Sequence, residues 1–218
     1  DVERSRGLGD VYKRQFIPIY SDYERVNNID ETNKFLSSLL GVLITSLFIF
    51  TILVLIFAPI FIFLFAPGFY FDPVKKDLSV DILRIMFPYL ALISLVAFAG
   101  GIQNTHQKFS IPAYTPVLFN LSLIIAAIFI APIYEMPIYV LAWGVFLAGI
   151  LQLLIQILPL KRIDRLPVPK FNLKNPGLNK FFKLIIPAIL AGGIIQINLL
   201  VDTISVSYTH LRAHETSL

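Results

Sequence analysis

The chain has 218 residues, 56% of them hydrophobic and only 15% charged, with a formal net charge of +4 and no cysteine. Soluble domains average about 45–50% apolar and about 25% charged residues, so a mean hydropathy of +0.76 excludes an ordinary water-soluble domain, which would expose too much apolar surface. The absence of cysteine excludes disulfides, thiolate metal sites and a cysteine nucleophile. The pI near 9.3 matches basic loops beside a bilayer, and with no basic–aromatic stripe it does not indicate nucleic-acid binding.

The two ends differ from the rest. Residues 1–15 and 207–218 are polar and hold five of the 18 basic residues, four of the 14 acidic ones and two of the three histidines. They read as linker or adapter sequence flanking a membrane region over 16–206. His210, His214 and Glu215 lie in the second of these tails, and so short a tract is no basis for a metal site. Nothing before Lys34 offers the apolar run of a secretory signal.

Between these ends, no charged side chain occurs from Phe35 to Phe71, Ile85 to Thr105, Phe109 to Tyr134, Met136 to Leu160 or Leu184 to Val201. A hydrocarbon core about 30 Å thick takes roughly 20 residues of helix to cross. The runs therefore predict an all-α, polytopic transmembrane bundle with five full spans, about 36–66, 82–103, 114–131, 137–160 and 179–206. Pro59 predicts a kink or tilt in the overlong first span. Pro88, Pro116 and Pro187 fall near span starts, where a missing N–H costs least or a neighbouring helix can satisfy the freed carbonyl. The turn 131–137 makes the third and fourth spans an antiparallel hairpin.

Orientation follows from the basic residues. Lys161, Arg162, Arg165, Lys170, Lys174, Lys180 and Lys183 crowd the connection 161–183. Placing that loop in the cytoplasm also places Arg25, Lys34 and Lys108 there and leaves only Lys75, Lys76 and Arg84 outside, the sense favoured by the positive-inside rule. The loop reads chiefly as a topology marker with affinity for anionic lipid.

Small residues four apart (Ala97 and Gly101, Gly144 and Ala148, Ala188 and Gly192) allow close helix contacts, and the doublets Gly100-Gly101 and Gly192-Gly193 permit bending. Polar residues at membrane depth are few. Gln152 and Gln156 share one face of the fourth span, and with Asn120 they suit interhelical hydrogen bonds. Gln103 to His106 end the second span, with His106 read as a loop residue. The last span carries Gln196, Asn198 and Asp202. A carboxylate at the helix centre costs about 2.5–3.5 kcal/mol and so faces a cavity, an ion or a partner. Asp202 also lies 19 residues beyond Lys183, about 28 Å along a helix, which equally fits a solvated helix end. As a functional group it would suit a hard cation such as Na⁺, or a protonation switch. No enzyme motif, dedicated metal site or cofactor signature is present.

The segments LRIMFPYLALISLVAFAGGIQNTHQKFSIPAYTPVLFNLSLIIAAIFIAP, LAWGVFLAGILQLLIQILPL and IIPAILAGGIIQINLLVDTI, with APGF at 66–69, resemble the lipid II flippase family (MurJ/MviN) of the MOP exporter superfamily. Members fold into two lobes of helices. The resemblance covers about 16–206 and implies the end of the second helix (FIPIYSDY), helices three to six, and helix seven, with the basic loop cytoplasmic. It implies export of the undecaprenyl-linked peptidoglycan precursor (lipid II) across the bacterial inner membrane by alternating access, for cell wall biosynthesis. The partners would be that precursor, membrane lipids and the remaining helices of the same polypeptide. The arginines that bind the head group in the family belong to helices one, two and eight, in stretches not found here. Asp202 falls where some members place a cation-binding carboxylate, which implies Na⁺ coupling. Other exporters of the superfamily, for polysaccharide-linked lipids or drugs, share helices three to six as scaffold. A membrane-embedded enzyme would need clustered acidic residues or basic triplets at one face, and a non-transporting scaffold would need only the small-residue contacts.

Overall fold

The structure, a computed structural model, describes residues 8–183, 185–187, 190, 193 and 194. Among these no strand occurs, and four stretches are long and apolar enough to cross a membrane: Ile29–Ile56, Pro73–Thr105, Ser110–Ile133 and Pro137–Arg162. The expected last span is helical at every described position from 176 onward, and the rest of it lies outside the described residues.

Helix α1 (Leu8–Val26) begins within the first polar stretch and ends on Arg25 and Val26. Helix α2 (Ile29–Ile56) starts earlier than its apolar run because Asn28 caps it, its side chain accepting the Glu31 N–H at 2.9 Å. Asp30 and Glu31 then complement the positive helix end. The break foreseen at Pro59 falls at Phe57, and the chain resumes as α3 (Ala58–Phe65) and the single turn α4 (Pro67–Tyr70). Asp72 caps α5 (Pro73–Met86), accepting the N–H groups of Val74 and Lys75. Pro88 then separates α5 from α6 (Pro88–Thr105), so the second span is 33 residues long with an interruption at Phe87. Helix α7 (Ser110–Ile125) widens into a π-turn over Ala126–Ile130 and tightens to a 3₁₀ turn over Ala131–Ile133. Helix α8 (Pro137–Arg162) returns antiparallel to it.

Two of the prolines free a carbonyl that a side chain then recovers. Pro59 cannot donate to Leu55, four residues back, and the Arg84 guanidinium on α5 donates Nε–H to that oxygen at 3.2 Å. Pro116 frees the carbonyl of Pro112, and the Thr115 hydroxyl donates to it at 2.7 Å. A carbonyl left bare in the hydrocarbon core costs several kcal/mol; the bond to Leu55 is exposed and its net worth is smaller. Arg84 is therefore a helix-to-helix clamp at the end of its span as well as an exposed cation.

Helix α8 is the hub, packed against α5, α6 and α7. At Gly144 a β-carbon would stand 3.1 Å from Ala126 Cβ, while Ala148 is fully buried, as the small-residue spacing predicts. In the other described pair Gly101 is buried but Ala97 is exposed; Ala188 and Gly192 lie outside the described residues. The main apolar core gathers at the basic end, where Phe16, Tyr20, Phe35, Leu36, Phe98, Ile102, Leu160, Leu178 and Phe181 join α1, α2, α6, α8 and the helical residues after 176. Towards the opposite end Phe48, Phe63, Phe65, Phe129 and Trp143 are exposed, as side chains facing lipid are.

Replacing Arg84 by Met keeps the aliphatic bulk and removes the donor to Leu55. We expect a loss of about 1 kcal/mol, the net worth of a hydrogen bond at an accessible position, read as a lower unfolding temperature of the detergent-solubilised full-length protein. An Arg84→Lys variant should restore part of it.

Candidate functional site

The polar groups that do converge lie at the basic end, and two helix C-termini aim them. Helix α6 ends with His106 at the cap, and Gln107 then takes a left-handed conformation (φ 58°). The Gln107 N–H donates to the Asn104 carbonyl at 3.1 Å and that of Lys108 to Gln103 at 2.9 Å. Helix α8 repeats the arrangement: Asp164 is left-handed (φ 53°), its N–H donates to Lys161 and that of Arg165 to Leu160, at 3.2 and 3.0 Å. This is the Schellman closure, usually built on glycine. Here Gln and Asp accept the conformational strain and the chain turns sharply, sending His106 and Arg165 towards the end of α1.

There Glu24 receives both Nε and Nη2 of Arg165 on one carboxylate oxygen, at 3.0 and 2.5 Å. The two side chains retain 21% and 10% of their exposure, so the pair is largely withdrawn from solvent. The same Glu24 oxygen lies 3.4 Å from His106 Nε2, which shares a 3.1 Å hydrogen bond with the Tyr20 hydroxyl. Burial pushes the His106 pKa below its ordinary 6.5; the Glu24 charge opposes this and Arg165 adds to it. His106 is therefore neutral at pH 7 and works as a hydrogen-bonding partner rather than a cation.

Beyond Arg165 the basic connection is strapped across α2. The Lys170 N–H donates to the Ser37 carbonyl at 3.0 Å, and Asn33 Nδ2 donates to the Asp164 carbonyl at 3.3 Å. Gly41 makes the crossing possible, since a β-carbon there would overlap the Lys170 carbonyl. Asn175 turns the chain into the next helix by accepting the Gly177 N–H at 2.9 Å, and Gly177 packs against the rings of Phe35 and Tyr23. Lys161, Arg162, Lys170, Lys174, Lys180 and Lys183 remain exposed along this strap.

A second polar group lies deeper, between α6, α7 and α8. Gln103 Nε2 donates to Gln156 Oε1, and Gln152 Nε2 donates to the Thr115 carbonyl at 2.6 Å. The two α8 glutamines thus bind neighbouring helices, as their spacing predicts. Asn120 is exposed on α7 and faces away from this seam. The grooves on the lipid-facing sides are apolar: one of about 940 Å³ is lined by Ile125, Ile130, Trp143, Leu147 and their neighbours, with Glu135 at the turn.

Asp202, Asn198 and Gln196, the transport and cation candidates, lie outside the described residues. Among the described residues no three His, Asp or Glu side chains gather as metal ligands. The sequence reading missed Glu24 and Tyr20 altogether, counted Arg165 as a free cation and placed His106 in a loop. An acidic residue one turn before a helix end, with a basic loop elsewhere in the chain, was the available signal. It names no partner until the fold brings the two together.

A family model described as lipid II flippase MurJ matches residues 11–213. The chain belongs to the lipid II flippase MurJ family. It is 40% identical over 194 residues to a "Probable lipid II flippase MurJ" of Buchnera aphidicola subsp. Acyrthosiphon pisum, covering 89% of this chain and 38% of that one. It is 34% identical over 197 residues to the "Lipid II flippase MurJ" of Burkholderia cenocepacia, covering 88% and 38%. A solved structure titled "Lipid II flippase MurJ, inward closed conformation" superposes with a TM-score of 0.69 at 28% identity, over 89% of this chain and 39% of that one. The chain thus spans about two fifths of the length of these MurJ relatives. With four apolar spans among the described residues, it is a multi-pass membrane protein.

If the Glu24–Arg165 pair holds α1 to the strap, Glu24→Gln and Arg165→Met should each cost about 2–3 kcal/mol. That is somewhat below the 3–5 kcal/mol of a fully buried pair stripped of one partner. The double variant should cost less than the sum, by thermal unfolding of the full-length protein in a double-mutant cycle.

The lowered pKa of His106 sets a pH dependence. The unfolded chain takes up a proton near pH 6.5 and the folded chain only below that, so this contribution to stability is complete above pH 6.5 and is lost as pH falls through the folded value. His106→Gln should flatten the fall in unfolding temperature as the pH drops below about 6.5.

Proposed function

We propose that this chain is the first-lobe portion of a lipid II flippase, which moves the undecaprenyl-linked peptidoglycan precursor to the outer leaflet of the bacterial inner membrane. The observation that carries the reading is 34% identity, over 88% of this chain, to a relative named as that flippase. Physical chemistry assigns these helices a part in it. The diphosphate-sugar head of the precursor is anionic and needs a hydrated, basic path. The described spans carry no charge between Phe35 and Phe71 or anywhere in α6 and α7, and α8 has none before Lys161. They serve as the wall and scaffold of the lobe, and the head-group cations come from other helices of the same polypeptide.

On this reading residues 16–206 are the flippase-like region, the polar ends 1–15 and 207–218 stand outside it, and the strap 161–183 lies in the cytoplasm. Asp202, with Asn198 and Gln196, supplies oxygen ligands for a coupling Na⁺, completed by groups from elsewhere in the protein. The transported lipid and the surrounding bilayer lipids are the partners; no step requires a catalytic residue.

This chain has no cysteine, so once any cysteine outside it is replaced, single cysteines report topology cleanly. In the full-length protein Lys76→Cys should react with an impermeant maleimide in intact cells, and Lys174→Cys only after permeabilisation. The full-length gene should rescue cells depleted of their own flippase, and Asp202→Asn should abolish the Na⁺ dependence of lipid II export. Labelling of Lys174→Cys from outside, or export without this protein's spans, would overturn the proposal.

A further inference from the structure

The seam between α6, α7 and α8 is sealed yet incompletely bonded. Gln103, Gln152 and Gln156 retain 0%, 2% and 1% of their exposure. Each uses one amide atom in the bonds already described. Gln103 Oε1, Gln152 Oε1 and Gln156 Nε2 have no hydrogen-bond partner among the described protein atoms. Leaving such a group bare in a low-dielectric interior costs its full desolvation penalty, and three together on one seam would be a heavy load for a helix junction.

The three atoms are chemically a set. Two are carbonyl acceptors and one is an N–H donor, and a water molecule offers two donors and an acceptor. Gln152 and Gln156 stand one turn apart on the same face of α8, and Gln103 reaches across from α6 to Gln156. Two carbonyl oxygens alone could attract a monovalent cation, but the Gln156 N–H in the same group repels one. Buried waters commonly make about three hydrogen bonds to groups of this kind.

We propose that the α6–α7–α8 seam is a binding site for internal water, held by Gln103 Oε1, Gln152 Oε1 and Gln156 Nε2. The site lies close to the aqueous end of the bundle. Gln156 is five residues before Lys161, about 7–8 Å along α8, and Gln103 is in the last turn of α6. Water exchanges through that end, past Asn104 and His106, and the hydrocarbon-facing side of the seam stays closed. The helices there are joined by a wet, re-formable set of bonds rather than a dry apolar contact.

Water-edited solid-state NMR on the full-length protein in bilayers reads this directly, using selectively labelled glutamine and asparagine. The side-chain amides of Gln103, Gln152 and Gln156 should gain magnetisation from water on the same timescale as Asn172 and Asn179 of the exposed strap. Gln→Met variants at each position assign the signals by their loss; if one fails to fold, pairwise labelling with the neighbouring residue assigns the wild-type signal instead. Absence of transfer to all three while the strap amides respond would overturn the proposal. So would amide shifts that follow replacement of Na⁺ and K⁺ by choline, since these would make the ligand a cation.

Discussion

A carbonyl oxygen inside a bilayer must find a donor in the protein, because no solvent will supply one. That requirement governs this bundle, whose sequence places Pro59 and Pro116 inside or beside its spans. Pro59 follows the break that separates α3 from α2, and Pro116 lies inside α7. Each also strips an oxygen of its partner. The repairs are made from different distances: Thr115 acts within its own helix turn, and Arg84 crosses from another helix. The second kind turns a local defect into a tie between elements, so the position of α5 depends on where α2 breaks.

The same economy orders the basic end. Two helices finish within reach of Glu24, and both close their last turn with a left-handed residue that is not glycine. A single left-handed residue of this sort costs on the order of 1 kcal/mol. The return is directional: Arg165 and His106 emerge at fixed angles and meet one carboxylate, while Tyr20 satisfies the imidazole. The Tyr20 ring stacks on Phe16, and the neighbouring Tyr23 stacks on Phe35. The bundle is therefore bonded most densely where it emerges at its basic end, and elsewhere it is joined by the packing of α8 on α5 and α7 and by the Arg84 bond to Leu55.

Much of this architecture was legible in the chain because the bilayer imposes a coarse rule. Long uncharged runs gave the spans from the second to the fourth, and the glutamine spacing on α8 marked its inward face correctly. Boundaries were less legible. The first span's helix begins at Ile29 because a single Asn28 side chain caps it ahead of the apolar run, and hydropathy does not register a cap. The second begins at Pro73, since an amphipathic turn above the membrane continues into it. The π-turn at Ala126–Ile130 left no trace in composition. The two helix ends built on Gln107 and Asp164 lacked the glycine that normally announces them. Arg165 was counted among seven equivalent cations because charge counting assumes solvent, and only three-dimensional packing showed that one of the seven is spent internally.

Gly41 gives the strap its mechanical meaning. Backbone rests on backbone there, with no side chain between to act as a cushion. A linker that hangs free leaves the start of the next helix undefined; one seated in this way defines it. The helix beginning near residue 176 therefore starts six residues beyond a point where the chain is seated on α2, so its first turn is anchored at a fixed place rather than hung from a loose linker.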